Sequence, residues 1–571
     1  MIAILSEASV NSGVGGVAMA TEKKRFIDSG LMLTPQRLVQ ENQLGHWQNL
    51  TADDYLQKVL RVAPDKNFII DCNSVAKQQR SISYRQIDRA SKRIAARLIG
   101  LGVERGDVVA LQLPNWWEFV AIHLACVRIG AITNPLQPIF RERELEFMLG
   151  FAETKMLFIP DEFRGFKYAP MIEGIREKLP ELKHVFTVGG ESREFEQAFI
   201  DRRWEDEVAI DELIAERKLE PNEVAEICYT SGTTGQPKGV LHTYNTLIAC
   251  TGPTAAFELD ANSVALMSSP LSHQTGFLYG FLTPLMHGAK AVFQDIWNAD
   301  EAARLIHDEG VTYTMGATPF LADLSSTPAL DKYPPHSLSL FVCAGAPIPR
   351  VLAQKAAKRF GARIAAGWGM SENGLVTITQ PGDSDEKVFG TDGIGWAGQE
   401  VRIVDEDKQP LAIGVVGDLQ TRGSANFVGY LKRPEAYDLD EDGWFDTGDI
   451  AVMDEDGYIR ITSRAKDIII RGGENVPVVE VEELLYRHAA ILDAAVVAMP
   501  DERLGEKGCA FVTLNPGESL SFEDLRDYLQ ECSLAKNYWP ERLEIVSEFP
   551  RTPSGKIQKF KLREIAAGLI S

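Results

Sequence analysis

Residues 229–240 read Tyr-Thr-Ser-Gly-Thr-Thr-Gly-Gln-Pro-Lys-Gly-Val and directly follow the apolar run 225–228. Glycines lack a Cβ and can adopt positive φ, so successive backbone N–H groups can line a concavity that holds an anion. The hydroxyl side chains add donors, and Lys238 adds a mobile positive charge. We therefore predict a phosphate-binding loop after a buried strand, formed by Thr230, Ser231, Gly232, Thr233, Thr234, Gly235 and Lys238.

The order of residues in this loop differs from the Walker form, because Lys238 is followed by Gly239 and not by Ser or Thr. A P-loop NTPase is therefore disfavoured. A surface turn would be the simpler interpretation of an arbitrary cluster rich in Gly and Thr. The order of the whole stretch nevertheless favours a nucleotide triphosphate as the ligand.

Outward from the loop, the chain alternates helix and strand patterns. Residues 84–101 and 117–129 have apolar residues at helical spacing, and 107–113 is an apolar run closed by Pro114. Such alternation predicts a mixed α/β fold with mainly parallel sheets and crossover helices. Ligands in such folds bind at the carboxyl ends of strands, where the predicted loop lies.

The pattern changes to short strands and Gly-rich turns after about residue 395. We expect a large N-terminal domain over 31–464, with a β-rich subdomain at about 395–464, and a small mobile α+β domain over 465–571. Residues 1–30 are expected to form a loose tail. They have no basic segment before an apolar stretch, which argues against a signal peptide.

Composition limits the partners of the chain. With 59 Lys and Arg against 81 Asp and Glu, the net charge of −22 argues against nucleic acid or an anionic membrane surface. The 7 cysteines form no Cys-x-x-Cys pair, so we expect neither a zinc site nor a disulfide framework. This use of cysteine predicts a reducing, cytoplasmic location. No apolar run is long enough for a transmembrane helix.

Further clusters supply chemistry that the loop lacks. Residues 367–372, Gly-Trp-Gly-Met-Ser-Glu, offer an aromatic face for a base, a hydroxyl for a phosphate and a carboxylate suited to Mg²⁺. Residues 444–449 end in Asp449, a candidate acceptor for ribose hydroxyls, and 550–556 end in Lys556 after a Pro- and Gly-rich turn. Arg464 and Lys466 precede another glycine turn. Each cluster alone would be a turn, a solvated hairpin or a basic tail.

Together and in this order, the clusters resemble the adenylate-forming superfamily of acyl-CoA synthetases, nonribosomal adenylation domains and luciferases. The resemblance spans roughly residues 50–562. It implies that Trp368 stacks on adenine, Ser371 contacts the α-phosphate and Glu372 holds Mg²⁺. Most members carry Tyr and Thr where this chain has Trp368 and Ser371, but stacking and the hydroxyl are preserved. The nucleotide site would also include Gly345, Ala346, Pro347, Gly367, Gly369 and Met370.

The resemblance also implies roles for the later clusters. Asp449 and Arg464 would bind the ribose, Lys466 would be the hinge, and Thr230, Glu372 and Lys556 would be catalytic. A carboxylic acid would attack the α-phosphorus of ATP and release pyrophosphate, with Lys556 stabilising the developing charge. The C-terminal domain would then swing about the hinge and bring Gly472 and Gly473 beside the pantetheine channel of coenzyme A.

The acyl pocket is expected, by the same resemblance, to include His273, Gln274, Phe277, Met315, Gly316 and Ala317. The predicted wall holds no Lys, Arg, Asp or Glu, so the tail of the acid should be uncharged. His273 is interpreted as a wall residue or as a gate at the carboxylate. The segments resemble most the synthetases that use short- and medium-chain fatty acids or cyclohexanecarboxylate, with aryl acids such as benzoate or coumarate as the alternative.

Two other classes within the superfamily are less favoured. An amino-acid adenylation domain needs an aspartate near His273 and a carrier domain downstream, and the sequence has neither. A luciferase-like enzyme usually ends in a peroxisomal address, whereas this sequence ends Leu-Ile-Ser. The oligomeric state, monomer or homodimer, is left open.

Overall fold

The structure is a computed structural model. It describes residues 31–191, 193–230, 237–345, 348–437, 439–464, 467–471, 474–501, 503–532, 534–552 and 555–569. The helices in chain order are α1 Pro35–Gln43, α2 Ala52–Val62, α3 Tyr84–Gly100, α4 Trp117–Ile129, α5 Glu142–Phe151, α6 Tyr168–Ile175, α7 Ile210–Arg217, α8 Tyr244–Ala249, α9 Thr283–His287, α10 Ala299–Glu309, α11 Thr318–Ser326, α12 Ala329–Lys332, α13 Arg350–Phe360, α14 Asp385–Gly390, α15 Val478–Arg487, α16 Phe522–Glu531 and α17 Lys559–Gly568.

The strands in chain order are β1 Asn67–Asn73, β2 Gln78–Ser83, β3 Val108–Leu111, β4 Ile132–Pro135, β5 Met156–Pro160, β6 Glu162–Phe163, β7 Phe166–Lys167, β8 His184–Val188, β9 Val224–Thr230, β10 Lys238–Thr243, β11 Val264–Met267, β12 Lys290–Gln294, β13 Tyr313–Gly316, β14 Leu340–Ala344, β15 Arg363–Met370, β16 Gly374–Ile378, β17 Ile394–Gly395, β18 Gln399–Val404, β19 Gly417–Gly423, β20 Gly429–Tyr430, β21 Phe445–Met453, β22 Ile459–Arg464, β23 Ile469–Arg471, β24 Glu474–Val476, β25 Ile491–Asp501, β26 Gly505–Leu514 and β27 Arg542–Ile545.

Two large sheets form the body of the molecule. One has the order β17-β16-β15-β14-β13-β11-β12-β1-β2, and the other has the order β20-β10-β9-β4-β3-β5-β8. Their central strands are parallel, while β9 with β10 and β15 with β16 are antiparallel. The predicted mixed α/β fold is thus confirmed, and two of its antiparallel pairs fall at the motifs that carry the phosphate and adenine predictions.

Helices α3 and α4 show why the predicted periodicity was informative. The side chain of Ser83 caps the first turn of α3 and Gln86 completes the capping box, so this helix begins where the sequence predicts it. Helix α4 is buried on almost every side and ends at Gly130, which has φ of 71°. Its apolar residues join the core that the two large sheets share.

Two smaller sheets and the two-stranded β6–β7 pair complete the described chain. The strands β18-β19-β21-β22 form the predicted β-rich unit, which packs its own cluster against Trp368 and Val376. The strands β24-β23-β26-β25, with β27 on β26, form the last sheet and are packed by α15, α16 and α17. We call the part that holds β1 to β22 the large lobe and the part that holds β23 to β27 the C-terminal unit. Among the helices of the described residues, none combines the length and apolar character that crossing a membrane requires.

Candidate active site

A cavity of about 1150 Å³ lies between the large lobe and the C-terminal unit. The large lobe contributes Gly345, Trp368, Asp449 and Arg464 to its lining, and the C-terminal unit contributes Lys556. These residues come from separate motifs, spread over more than two hundred positions of the sequence. The fold therefore brings the predicted adenine, ribose and lysine positions to one cleft.

The ends of the predicted phosphate loop face each other across two antiparallel strands. Thr230 ends β9 and is the register partner of Lys238, which begins β10. The ammonium of Lys238 lies 4.7 Å from the ring centroid of Tyr430. The predicted residues between the two strands lie outside the described residues: Ser231, Gly232, Thr233, Thr234 and Gly235. So do five other predicted residues: Ala346, Pro347, Lys466, Gly472 and Gly473.

Glu372 is a buried carboxylate, with 6% of the residue exposed. The Oη of Tyr430 donates a hydrogen bond to its Oε1 over 2.9 Å, and its backbone oxygen accepts from the N–H of Phe427 over 2.7 Å. Burial raises the pKa of Glu372, whereas the Tyr430 hydrogen bond and the charges of Arg464 and Lys238 lower it. The sequence analysis missed Tyr430, because no local pattern relates it to a residue 58 positions away.

Trp368, Asp449 and Arg464 form one chain of polar contacts that joins β15 of the nine-stranded sheet to β21 and β22 of the four-stranded sheet. The indole Nε1 of Trp368 donates to Oδ2 of Asp449 over 2.8 Å, and Nε of Arg464 lies 2.9 Å from Oδ1. Asp449 and Arg464 are register partners on β21 and β22. The Asp449 side chain is 2% exposed and that of Arg464 is 42% exposed. Asp449 is therefore fixed in place while Arg464 remains open to the cavity.

Two glycines of the predicted nucleotide site allow close backbone approach. A Cβ on Gly369 would lie 1.9 Å from the backbone oxygen of Gly374, so no side chain fits there. Gly345 has φ of 90°, and a Cβ on it would lie 3.2 Å from Cε of Lys556. Gly345 is thus the point at which the lysine of the C-terminal unit meets the large lobe.

The neighbours of these glycines belong to the same motif. A Cβ on Gly367 would lie 2.8 Å from the backbone oxygen of Thr377. Met370 packs against two apolar clusters, one on each side of its strand. The backbone oxygen of Ser371 accepts a hydrogen bond from Nε2 of His242 over 2.8 Å. His242 is buried and was not singled out in the sequence, where a lone histidine in a strand carries no signal.

A short turn presents Lys556 to the cleft. Arg551 and Ile557 form a β-bridge, the N–H of Thr552 donates to the backbone oxygen of Lys556 over 2.8 Å, and the N–H of Lys556 donates to Oγ1 of Thr552 over 3.1 Å. Burial and, to a smaller extent, the nearby charge of Lys556 lower the pKa of His273 to about 4. Lys556 is therefore close enough to His273, in the segment that the sequence assigned to the acyl pocket, for its charge to act there.

None of the six predicted acyl-pocket residues is among the residues that line the cavity, and all of them except the half-buried His273 are buried. Phe277 is fully buried, with its ring centroid 4.9 Å from that of His123 and 5.4 Å from that of Phe281. Met315 and Gly316 end β13, and Ala317 directly precedes α11. Their side chains are enclosed by the core in this arrangement, so their contact with an acid stays a prediction.

Gln274 has a partner that the sequence analysis overlooked. Its Nε2 donates to Oε2 of Glu226 over 2.8 Å, and both residues are buried. Burial raises the pKa of Glu226 to about 8, against the lowering effect of the Gln274 hydrogen bond. Because Glu226 lies within the run 225–228, the expectation that this run is apolar is wrong at this position.

Comparisons with known proteins show the family to which the chain belongs. The model of the family described as AMP-binding enzyme matches residues 56–431, and that of the AMP-binding enzyme C-terminal domain matches residues 480–556. The medium-chain fatty-acid–CoA ligase of Escherichia coli (strain K12) is 37% identical over 540 residues, which are 94% of each chain.

Two solved structures extend the likeness to three dimensions. The anthranilate CoA ligase AuaEII in complex with anthranoyl-AMP has a TM-score of 0.79 and 25% identity, covering 91% of this chain and 97% of that one. ATP-bound MatB from Rhodopseudomonas palustris has the same TM-score and identity, covering 91% of this chain and 100% of that one.

The chain therefore belongs to the AMP-binding enzymes, the adenylate-forming class that the sequence motifs indicated. Within this class the protein is an AMP-forming acyl-CoA ligase. Its substrates are a carboxylic acid, ATP and CoA, and the acid reacts through an acyl-AMP intermediate. The predictions of an acid–thiol ligase and of ATP and CoA as co-substrates are confirmed.

Proposed function

We propose that the acid is a short- or medium-chain fatty acid or cyclohexanecarboxylate. The relative from Escherichia coli, which is named for medium-chain fatty acids, supports this choice. The charge state of the buried groups supports it too. With a pKa of about 4, His273 is neutral at pH 7, and with a pKa of about 8, Glu226 is mostly protonated. An apolar tail would therefore meet no full charge at these two residues.

The observation that carries the proposed mechanism is the reach of Lys556 across the cleft. Its Cε lies beside Gly345, and its charge acts on His273, while Trp368, Asp449 and Arg464 line the same cavity. An ammonium here would lie between the bound acid and the α-phosphate of ATP. We propose that it stabilises the negative charge that develops as the carboxylate oxygen attacks phosphorus and pyrophosphate leaves.

The nucleotide is proposed to lie along the large lobe. Trp368 would stack on the adenine, and Gly345, Gly367, Gly369 and Met370 would flank it. Asp449 would accept from the ribose hydroxyls through the lone pairs left free by its two existing partners. Ser371 would donate to the α-phosphate. Thr230 and Lys238, which hold the two ends of the predicted phosphate loop, would contact the departing pyrophosphate.

A magnesium ion fits the chemistry of Glu372. Burial raises the pKa of this carboxyl despite a hydrogen bond and two cationic neighbours, so its negative charge is incompletely compensated. Carboxylate oxygens are the protein ligands that Mg²⁺ prefers. We propose that Glu372 holds the ion, which when bound would neutralise charge on the phosphates.

The second half-reaction needs a different arrangement. A thiol must approach the acyl carbonyl, which Lys556 and its turn would cover in the present arrangement. We propose that residues 465–571 move as a mobile domain about a hinge at Lys466, withdraw the lysine, and bring Gly472 and Gly473 beside the pantetheine arm. The thiolate then attacks the carbonyl carbon and AMP leaves.

An aryl acid is the second candidate, because the anthranilate ligase shares the fold over most of its length. A substrate panel separates the two. We expect pyrophosphate release and thioester formation to be fastest with one of the shorter acids of a C4 to C16 fatty-acid series or with cyclohexanecarboxylate, and slower with the longest fatty acids, benzoate and coumarate. A best rate with an aryl acid would favour the second candidate. A best rate with an amino acid, or release of pyrophosphate without thioester, would contradict both.

A further inference from the structure

An ion pair crosses the cleft away from the predicted reacting groups. Arg460 lies on β22, the last strand of the large lobe, and its Nη2 contacts the carboxylate of Glu483 on α15 of the C-terminal unit. The two side chains are 25% and 13% exposed, so both are largely removed from solvent. We call Arg460 and Glu483 the cross-lobe pair.

Arg460 has other partners within its own lobe. Its Nη1 donates to the backbone oxygen of Gly390 over 2.7 Å. Burial raises the pKa of the nearby Asp392, and the negative charge of Glu483 raises it further. The positive charge of Arg460 lowers the pKa of Asp392. If Glu483 departs, Arg460 keeps the backbone oxygen of Gly390 as a hydrogen-bond partner. Because its side chain is also 25% exposed, Arg460 is not left as a fully buried, unpartnered cation when the cross-lobe pair opens.

Glu483 is connected to the lysine turn through the adjacent residue. Oε1 of Glu482 lies 2.7 Å from Nζ of Lys559 and accepts from the N–H of Val496 over 2.6 Å. Lys559 begins α17 three positions after Lys556, and Val496 lies on β25. Helix α15 is thus tied both to the sheet of the C-terminal unit and to the segment that presents Lys556. A contact that fixes α15 against the large lobe therefore also fixes the position of Lys556.

We propose that the cross-lobe pair positions Lys556 for the first half-reaction and has no part in the second. The proposal rests on the proposed role of Lys556 in acyl-AMP formation. Arg460 and Glu483 are positioning residues, since they act through α15 and the 556–559 segment. The pair favours the arrangement in which Lys556 lies beside Gly345, and this arrangement has to open before a thiol can attack. Loss of the pair should therefore slow adenylation and leave thioester formation unimpaired.

The test compares Glu483→Gln with Glu480→Gln, which makes the same change at an exposed position of the same helix. Pyrophosphate release is measured in a single turnover without CoA, using the best acid of the substrate panel. Thioester formation is measured separately from supplied acyl-AMP and CoA. We expect Glu483→Gln to lower the first rate by about tenfold and to leave the second unchanged or faster. Glu480→Gln should change neither.

A double-mutant cycle separates coupling from a general loss of structure. Arg460→Gln should lower adenylation, and adding Glu483→Gln to it should lower adenylation little further, because the interaction is already lost. Glu483→Asp, which keeps the charge, should retain more adenylation than Glu483→Gln. Equal losses in both half-reactions, additive effects, or a Glu483→Gln rate equal to that of Glu480→Gln would overturn the proposal.

The outcome also distinguishes this proposal from the one it rests on. If Lys556→Ala impairs both half-reactions equally, the proposed role of Lys556 is wrong and the positioning proposal falls with it. If Lys556→Ala loses only adenylation while Glu483→Gln leaves the two rates unchanged, the role of Lys556 stands and the cross-lobe pair does not position it.

Discussion

The two walls of the cleft are built in different ways. On the large lobe, Asp449 is fixed by Trp368 and Arg464, and Glu372 by Tyr430, through hydrogen bonds between neighbouring parts of one lobe. On the C-terminal unit, Lys556 stands on a turn whose internal bonds define its shape but not its distance from the nucleotide. The large-lobe wall is thus formed in advance, whereas the position of Lys556 depends on how two bodies dock.

A substitution at the contact between Gly345 and Lys556 should disturb the docking of the two bodies most strongly. Gly345→Ala adds a Cβ 3.2 Å from Cε of the lysine, at a φ of 90°. We expect acyl-AMP formation to fall by about 100-fold, because small misplacements of a reacting group are costly. ATP binding should change much less.

Gly361→Ala is the matched control for this change. Gly361 also has a positive φ, of 66°, but a Cβ there would have nothing within 4 Å. It introduces comparable backbone strain without touching the lysine. If the two variants lose adenylation equally, strain alone explains the loss and the contact has no special role.

Trp368→Phe tests the large-lobe wall by removing the hydrogen bond to Asp449. A hydrogen bond to a charged group contributes ~1.5–3 kcal/mol, so the KM for ATP should rise by about tenfold or more. The rate at saturating ATP should fall less, because Lys556 is untouched. Trp116→Phe removes a similar indole bond, of 2.8 Å to Asp295, outside the cleft. A KM that rises equally in both variants would contradict a specific role for the Trp368–Asp449 bond.

The smallest effect on activity is expected at Glu226, which is buried and is not among the residues that line the cavity. The folded protein holds its proton up to a pKa of about 8, while the unfolded chain loses it near 4.5. Folding stability should therefore fall as the pH rises from about 4.5 through 8. Glu226→Gln removes this titration, so its melting temperature relative to the original protein should improve between pH 5 and pH 9. An unchanged difference at the two pH values would show that Glu226 titrates normally.

Much of the site was predictable because its chemistry lies in short contiguous motifs. Trp368, Asp449, Arg464 and Lys556 were each singled out from local residue types, and the structure brings all four to one cavity. The alternation that predicted the α/β fold is equally local, since α3 and α4 begin at or near the expected residues. Residue types within a few neighbouring positions are sufficient to predict such features.

Pairs formed by tertiary folding were not predictable. Glu226 with Gln274, and Tyr430 with Glu372, join residues 48 and 58 positions apart, and no periodicity connects them. The predicted acyl-pocket residues illustrate the same limit, because Phe277 faces a core of aromatic rings that only the assembled sheets create. Burial also changes proton affinity. The pKa of Glu226 is raised by its buried surroundings, which residues next to it in the sequence do not reveal.

The most direct test of the contrast between the two walls is to measure both half-reactions of Lys556→Ala. Pyrophosphate release without CoA reports acyl-AMP formation, and thioester formation from supplied acyl-AMP and CoA reports the second step. We predict that the first rate falls by roughly 100-fold or more, because a charge-stabilising group is removed, while the second stays close to that of the unmodified enzyme. Equal loss of both rates would contradict the assignment of Lys556 to the first step alone.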